Sequence, residues 1–477
     1  MIVVQDESLN RGVSAVHTDC SADQLEFQGL GKRRVVADFS AEQTTSDGGL
    51  VLLREAESRS GLIGAFARCL TDHRDPARIQ HSVEELVAQR VYGIACGYED
   101  LNDHDQLRKD PLFAVAVGKT DAGASALASR NTLNRLELTP ADATGDARYK
   151  KIVYDDEAIA GVFVEAFLNA HETPPERIIL DLDATDDPLH GSQEGRFFHG
   201  YYRSYCYLPL YIFCGEFLLC ARLRRSDIDA SAGSVEELAR IVEQIRERWP
   251  QVEIWIRADS GFAREEIMAW CESENVEYVL GLARNARLQA AIEAEQEQAR
   301  RQHEATGEPA RVFKDFRYQT LTSWSRERRV VGKAEQLHGK ANPRFVVTSL
   351  PLERVPAEVL YKEIYCARGD MENRIKEQQL GMFADRTSAH TMRANQLRLW
   401  FASLAYALVH ELRRVGLAGT ELARAQVGTI RVRLLKIGGQ IRISVRRVRI
   451  ALSRAFPLQA VFARALENLR RRSPPPA

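Results

Sequence analysis

The stretch Arg177-Ile178-Ile179-Leu180-Asp181-Leu182-Asp183-Ala184-Thr185 decides the fold of this chain. Its apolar run between charged ends is typical of a strand that is buried inside a sheet. A second stretch of the same kind, Val252-Glu253-Ile254-Trp255-Ile256-Arg257-Ala258-Asp259-Ser260-Gly261-Phe262, also runs into an aspartate. We therefore expect Asp183 and Asp259 to lie at the ends of two strands of one sheet.

The segments around these two strands alternate in a regular order. After the first strand, the predicted elements are strands 205–213 and 217–223, helix 234–249, strand 252–262, helix 264–274 and strand 278–282. This order, β-β-β-α-β-α-β, predicts an α/β fold with a mixed sheet and helices on both faces. It is the element order of a ribonuclease H-like fold.

A third stretch, from Glu363 to Lys376, predicts an amphipathic helix. Its apolar stripe comprises Leu360, Ile364, Ala367, Met371 and Ile375, and its polar stripe comprises Tyr361, Tyr365, Arg368, Glu372 and Lys376. Arg368 and Lys376 flank Glu372 on the helix surface, which keeps its carboxylate ionised. An ordinary solvated face is the alternative. The two tyrosines and the mid-helix Gly369 argue against that alternative.

Together these stretches resemble bacterial insertion-sequence transposases of the Asp-Asp-Glu type. Tyr365-x2-Arg368-x3-Glu372 is similar to the motif around the third carboxylate, and Asp183-Ala184-Thr185 is similar to the first. Asp259-Ser260-Gly261-Phe262 supplies the second. The segment 97–111 resembles a signature of insertion-sequence family thirteen-eighty. The resemblance covers most of residues 36–410.

The resemblance implies a catalytic triad of Asp183, Asp259 and Glu372. Three converging carboxylates form a hard oxygen site that suits two Mg²⁺ or Mn²⁺ ions and phosphoryl transfer. The implied activity is cut-and-paste DNA transposition by an oligomer that is bound to terminal inverted repeats and joins their ends to target DNA. Tyr365 and Arg368 match positions that contact DNA near the cleaved end.

Two assignments within this site have rivals. Asp181 competes with Asp183 because strand alternation puts both on the same face, and the family's Asp-x-Thr pattern favours Asp183. Related motifs often have a lysine seven residues after the glutamate, where this chain has Gln379. Lys376 is the nearest cation on that face, so we include it among the DNA-binding residues.

Charge is distributed unevenly along the chain. The net charge is −1, but residues 411–477 contain 14 Arg and one Lys against three Glu, a local net charge of +12. A basic tail on an acidic body indicates a nucleic-acid contact surface. Alternation at 430–434 and 441–445 predicts two strands in this tail with arginines on the open face.

The pattern along the chain predicts several domains and one compartment. We expect a flexible arm at 1–34, an all-helical DNA-binding domain at 35–175, a catalytic core at 176–282 and 356–410, an α+β insertion subdomain at 283–355, and a basic C-terminal region at 411–477. The eight scattered cysteines predict reduced, buried thiols. With no leader and no apolar run of roughly 18 residues, we expect a cytoplasmic, nucleoid-associated protein without membrane contact.

Other interpretations remain open from the sequence. A ribonuclease H-like nuclease or resolvase would cut DNA without joining it, and a domesticated DNA-binding protein would have no catalysis. The helical domain and the large insertion favour the transposase. The segment Asp103-His104-Asp105 is either a metal site or a capped polar loop before a short helix, and the loop is the expected form.

Overall fold

The computed structural model describes residues 25–41, 43–119 and 126–471. The strands are β1 (Leu25–Leu30), β2 (Arg33–Ala37), β3 (Thr44–Thr45), β4 (Leu70–Asp72), β5 (Ile152–Tyr154), β6 (Arg177–Ala184), β7 (Asp187–Pro188), β8 (Phe197–His199), β9 (Ser204–Tyr207), β10 (Leu210–Cys214), β11 (Phe217–Arg222), β12 (Glu253–Ala258), β13 (Glu277–Leu282), β14 (Ala310–Tyr318), β15 (Arg328–Leu337), β16 (Lys340–Ala341), β17 (Arg344–Thr348), β18 (Gly439–Ser444) and β19 (Arg447–Leu452). The helices are α1 (Leu50–Ser60), α2 (Leu62–Arg68), α3 (Val83–Cys96), α4 (His104–Leu107), α5 (Pro111–Val117), α6 (Arg130–Glu137), α7 (Asp156–Asn169), α8 (Ser234–Arg248), α9 (Glu265–Ser273), α10 (Ala286–Ala291), α11 (Glu293–Thr306), α12 (Ala357–Val359), α13 (Gly369–Lys376), α14 (Met392–Glu411), α15 (Val427–Ile430) and α16 (Gln459–Arg470).

A mixed sheet lies at the centre of the fold, in the order β11-β10-β6-β12-β13-β17-β15-β14. The neighbours β6, β12 and β13 are parallel, and the other pairs along this path are antiparallel. One face packs against α7, α8 and α9. The other face packs against the segment around Leu360 and Tyr361. Coverage of both faces explains why β6 and β12 are apolar runs rather than alternating strands.

The strands of the predicted insertion continue this sheet. β17 pairs with β13, and β15 and β14 follow it outward. The segment 283–355 is therefore built on the edge of the central sheet, with α10 and α11 beside it. The domain boundaries given above stay predictions.

Three element predictions were wrong. The strand at 205–213 is divided into β9 and β10, because Leu208 and Pro209 lie between them and proline has no N–H for a ladder. The strand at 430–434 is helical, formed by α15 and the π-helical turns Arg431–Leu435. Residues 35–175 are not all helical, since β3, β4 and β5 lie within them.

Described residues near both ends of the chain belong to folded elements, although we expected a flexible arm at 1–34. Within the predicted arm at 1–34, β1 pairs with β2 in an exposed hairpin, whereas residues 1–24 lie outside the described part. The C-terminal prolines also lie outside it. Residues of the basic region, including Leu434, Leu435 and Leu469, join the hydrophobic core formed by α1, α3 and α14. The basic region is therefore part of the folded body.

Two further expectations can be compared with the described residues. Seven cysteines are free: Cys96, Cys206, Cys220 and Cys271 are buried, Cys69 and Cys214 are partly buried, and Cys366 is exposed. Cys20 lies outside the described part. No helix in the described ranges combines the length and apolar character needed to cross a bilayer.

The motif Asp103-His104-Asp105 opens the short helix α4. His104 is buried, and its Nδ1 lies 3.2 Å from the Gln89 amide nitrogen. Burial lowers the pKa of His104 to about 3, so its ring stays neutral. Asp105 accepts a hydrogen bond from the Arg130 N–H. These contacts agree with a capped structural turn rather than a metal site.

Candidate active site

The first two carboxylates lie at neighbouring strand ends. In the parallel β6–β12 pair, Asp181 is in register with Arg257 and Leu182 with Ala258. The next residues are Asp183, near the end of β6, and Asp259, which directly follows β12. Each carboxylate accepts a local backbone hydrogen bond: Asp183 from the Ala184 N–H at 2.9 Å, and Asp259 from the Gly261 N–H at 2.8 Å. The second is an Asx turn, which fixes the Asp259 side chain in the loop directly after β12.

The third carboxylate comes from a helical segment with uneven winding. Leu360–Tyr365 forms π-helical turns, Cys366–Arg368 a 3₁₀ turn, and α13 carries Glu372. Leu360, Met371 and Ile375 of the predicted apolar stripe are buried, but Ala367 is exposed. A Cβ atom at Gly369 would meet no atom within 4 Å, so no part of the described chain explains this glycine by close approach.

All three carboxylates line one cleft of about 380 Å³. Its walls comprise Asp183, Ala184, Thr185, Tyr201, Tyr202, Ala230, Asp259, Gly261, Phe262, Glu372, Ile375, Lys376 and Gln379. A larger cleft, of about 740 Å³, lies between α1, α7, α14 and α16 and contains none of the predicted site residues. The smaller cleft is therefore our candidate site.

Arg368 stands between two of the carboxylates. Its guanidinium nitrogens lie 2.9 Å from Glu372 Oε1 and 3.8 Å from Asp183 Oδ2. Burial raises the pKa of Asp183 to about 7, and the negative charges of Asp259 and Glu372 add to this effect while Arg368 opposes it. A second positive charge in the cleft would stabilise the ionised carboxylate of Asp183.

The donor set is chemically suited to a hard cation. It consists of carboxylate oxygens, the ligands that Mg²⁺ and Mn²⁺ prefer over those of zinc. Within the described residues, no three Asp, Glu, His or Cys side chains are already in a chelating arrangement. Arg368 contacts one oxygen of Glu372, and the other Glu372 oxygen is not part of that ion pair.

Asp181, the alternative to Asp183, forms a buried ion pair with Arg257. Arg257 donates to both Asp181 oxygens, at 2.5 and 2.8 Å, and both side chains are nearly inaccessible. Arg257 also donates to the Ile364 carbonyl at 2.6 Å. Asp181 therefore serves, through Arg257, to fix the helical segment that carries Glu372 against the two strands. Sequence reasoning missed Arg257, although a cation within a buried strand signals a partner.

Other residues near the cleft were also missed or misjudged. Tyr201 and Tyr202 line it from the turn after β8, and no motif identified them. Gln379, where the related motif has lysine, donates from its amide to the Asp186 carbonyl at 3.1 Å. This contact ties the loop after β6 to the Glu372 segment. Lys376 is exposed at the cleft wall.

Comparison with known proteins gives one family. A solved structure with a similar chain is the cryo-EM structure of piggyBac transposase synaptic complex with hairpin DNA, at 12% identity and a TM-score of 0.39. The match covers 90% of this chain and 87% of that chain, and a likeness at that score supports no conclusion. No curated protein matches. The family described as transposase DDE domain group 1 matches residues 27–474, so this chain belongs to that family.

Proposed function

We propose that this protein is a DNA transposase that cleaves the ends of its insertion sequence and joins their 3′-hydroxyls to target DNA. The observation that carries the proposal is the cleft in which Asp183, Asp259 and Glu372 meet, in a chain of the DDE transposase family. The Gly97–Pro111 segment and the Tyr-x2-Arg-x3-Glu motif favour insertion-sequence family thirteen-eighty.

We propose a ribonuclease H-like core for this activity. In chain order, the strands β6, β10, β11, β12 and β13 occupy positions 3-2-1-4-5 of one sheet, with β10 antiparallel to β6 and β12 parallel to it. This arrangement brings the ends of the first and fourth strands together. It supports a core at 176–282 and 356–410 that is extended by the insertion at 283–355.

The triad would hold two Mg²⁺ or Mn²⁺ ions through its carboxylate oxygens. When bound, such a pair stabilises both the attacking and the leaving oxygen of an in-line phosphoryl displacement. Asp183 and Asp259 are fixed by their strands, whereas Glu372 is on a helix and is half exposed. Glu372 is therefore the carboxylate that can adjust as DNA enters.

The cations of the helical segment are placed to hold DNA. Arg368 is partly buried between Asp183 and Glu372, and its guanidinium could pair with a phosphate if a bound cation took its place beside Glu372. Lys376 extends from the open wall of the cleft, where a strand backbone would pass. Tyr365 lies half buried beside them and offers a hydroxyl donor.

The remaining parts of the chain would assemble the complex. We propose that region 35–175 binds the terminal inverted repeats and that two or more copies act together, because both ends of one element must be held during joining. The expected setting is the nucleoid of a bacterial cytoplasm.

A strand-transfer assay tests this function. A precleaved duplex with the terminal sequence of the element and a 3′-hydroxyl is incubated with the protein, Mg²⁺ and a plasmid. We expect covalent end-to-plasmid products from the native chain and none from Asp183→Asn, Asp259→Asn or Glu372→Gln, each of which should still bind DNA. Asp370→Asn, an exposed carboxylate on the same helix, is the matched control and should retain the products.

The outcomes separate the candidate functions. Nicking of intact ends without any joined product would favour a nuclease or resolvase. DNA binding without nicking by the native chain would favour a non-catalytic binding protein. Cleavage by any one of the three purified variants would remove that residue from the triad.

A further inference from the structure

The C-terminal hairpin β18–β19 is a two-stranded ribbon with different chemistry on its two faces. Arg442 is directly opposite Arg449, and Ser444 is opposite Arg447. Opposite residues of an antiparallel pair share a face, so these three arginines project from the same side, and all are exposed. Residues of the other face, such as Ile441 and Ile450, pack against the main hydrophobic core.

The arginines of this face are not used by the fold. Among the described residues, Arg442, Arg447 and Arg449 of this face, and Arg446 in the turn, have no side-chain hydrogen bond or ion pair. The sequence from 422 to 466 contains no acidic residue that could offset them. Like charges directly opposite each other destabilise a strand pair. Repulsion between these arginines therefore destabilises the ribbon in the free protein, and a bound anion would reduce that repulsion.

Other cations of the same region have structural partners. Arg413 is buried and contacts Glu377 at 2.7 Å, and Arg431 donates to the Ala95 carbonyl at 2.9 Å. Lys436 lies 2.7 Å from an oxygen of the buried Asp47. The net charge of the C-terminal region thus overstates the number of cations that are available to a partner. Within residues 411–471, the cations without such partners are concentrated on the ribbon.

We propose that the arginine face of β18–β19 is a contact surface for duplex DNA, separate from the carboxylate triad; this inference rests on the proposed transposase function. Two strands about 4.7–4.9 Å apart make a ribbon that fits the major groove, which is about 12 Å wide. Arginines along its outward face then reach the phosphates that border the groove.

The ribbon is also held firmly enough to present that face. Its base pairs with β3, where Gly439 is in register with Thr45 and Gln440 with Thr44. The Ile441 N–H donates to the Gln43 carbonyl at 2.8 Å. The turn at the other end of the ribbon, by contrast, is exposed to solvent, and Val445 in it is fully exposed. The ribbon therefore projects from an anchored base, as a groove-binding element requires.

The test uses the full-length double variant Arg442→Gln/Arg449→Gln. Binding to a fluorescent duplex of unrelated sequence is measured by anisotropy across a salt series. Loss of two phosphate contacts should reduce the slope of log affinity against log salt by about 1.8 and weaken binding roughly tenfold. The melting temperature should stay the same or rise, because two opposed charges have been removed.

Arg464→Gln is the matched control. Arg464 is an exposed arginine of the same region, but it is paired with Glu467, so the salt slope should not change. An unchanged slope in the double variant, with native binding intact, would overturn the ribbon assignment and leave the proposed function standing. An equal loss on a single strand would overturn the choice of duplex. If the native chain bound no duplex at any salt, the transposase proposal itself would fail.

Discussion

Gly281 shows how closely the residues around the candidate site are packed. It lies in β13, next to the Tyr365 side chain, and a Cβ atom there would clash with the Tyr365 hydroxyl oxygen. The same Cβ would lie 3.0 Å from the Ser260 backbone nitrogen, next to Asp259. A side chain at position 281 would thus disturb both Tyr365 and the loop that carries the second carboxylate.

We expect Gly281→Ala to lower the free energy of unfolding by about 1–3 kcal/mol, as overpacking in a filled site does. Strand transfer should fall as well, because Tyr365 and Asp259 are displaced. Tyr365→Phe removes the contacting oxygen, so the double variant should recover part of the lost stability, which denaturant unfolding of all four chains measures. Strict additivity of the two changes would show that Tyr365 does not lie over Gly281.

The assignment of the first carboxylate shows what a single residue's pattern can and cannot predict. Strand alternation puts Asp181 and Asp183 on one face, and nothing in their spacing separates them. They differ in their neighbours on the adjacent strand: Asp181 is opposite Arg257, whereas Asp183 lies beyond the last pair. Cross-strand register depends on tertiary structure, so only the resemblance to transposases favoured Asp183 beforehand.

At the scale of elements, buried strands were predicted better than exposed or short ones. β6, β12 and β13 were identified because continuous apolar runs admit few alternatives inside an α/β sheet. The sequence 430–434 alternates like a strand, but Leu434 and Leu435 are both buried in helical turns against the core. A short amphipathic run is compatible with the periodicity of a helix or of a strand. Its conformation here was therefore decided by the core against which it packs.

The junction between α1 and α2 provides an element whose stability depends on pH. Glu57, near the end of α1, accepts hydrogen bonds from the Ile63 N–H at 3.0 Å and the Gly64 N–H at 3.3 Å, in the first turn of α2. Burial raises the pKa of Glu57 from 4.5 to about 7, with a smaller contribution from Glu84, although these hydrogen bonds oppose the rise. Folding therefore favours the protonated carboxyl.

The sign of the effect follows from linkage. Because the folded pKa exceeds the unfolded one, the stabilisation by this group is complete below pH 4.5 and is lost as pH rises through about 7. Glu57→Gln keeps an acceptor and removes the titration, so its free energy of unfolding should decline less than the native value between these pH values. We expect a difference on the order of 1–3 kcal/mol from urea titrations. Glu304→Gln, on the exposed surface of α11, should follow the native curve; if Glu57→Gln did so too, Glu57 would not be the responsible group.

At the scale of the whole molecule, the basic C-terminal region contributes side chains to the main hydrophobic core. The charge of residues 411–477 alone suggested a basic tail on an acidic body. Instead, α14 packs against α3 and α1 in one cluster that also includes Val427, Ile430 and Leu469. Glu377, just after the Glu372 helix, accepts from the Val427 N–H at 2.6 Å. The composition of a segment could not indicate this long-range packing, which links the region to the candidate site.

A chain that ends at Val415 should therefore fail to fold. It would lose core side chains such as Leu434, Leu435 and Leu469, and each large aliphatic removed from a core costs about 2–5 kcal/mol. Several such losses together exceed the roughly 5–15 kcal/mol that stabilises a typical domain. Calorimetry and limited proteolysis should show no cooperative transition and rapid digestion, whereas a chain ending at Arg471 should melt like the native protein. If the shorter chain melted cooperatively at the native temperature, the C-terminal region would be an independent module, and its effect on DNA binding could be measured by truncation rather than by the ribbon variants.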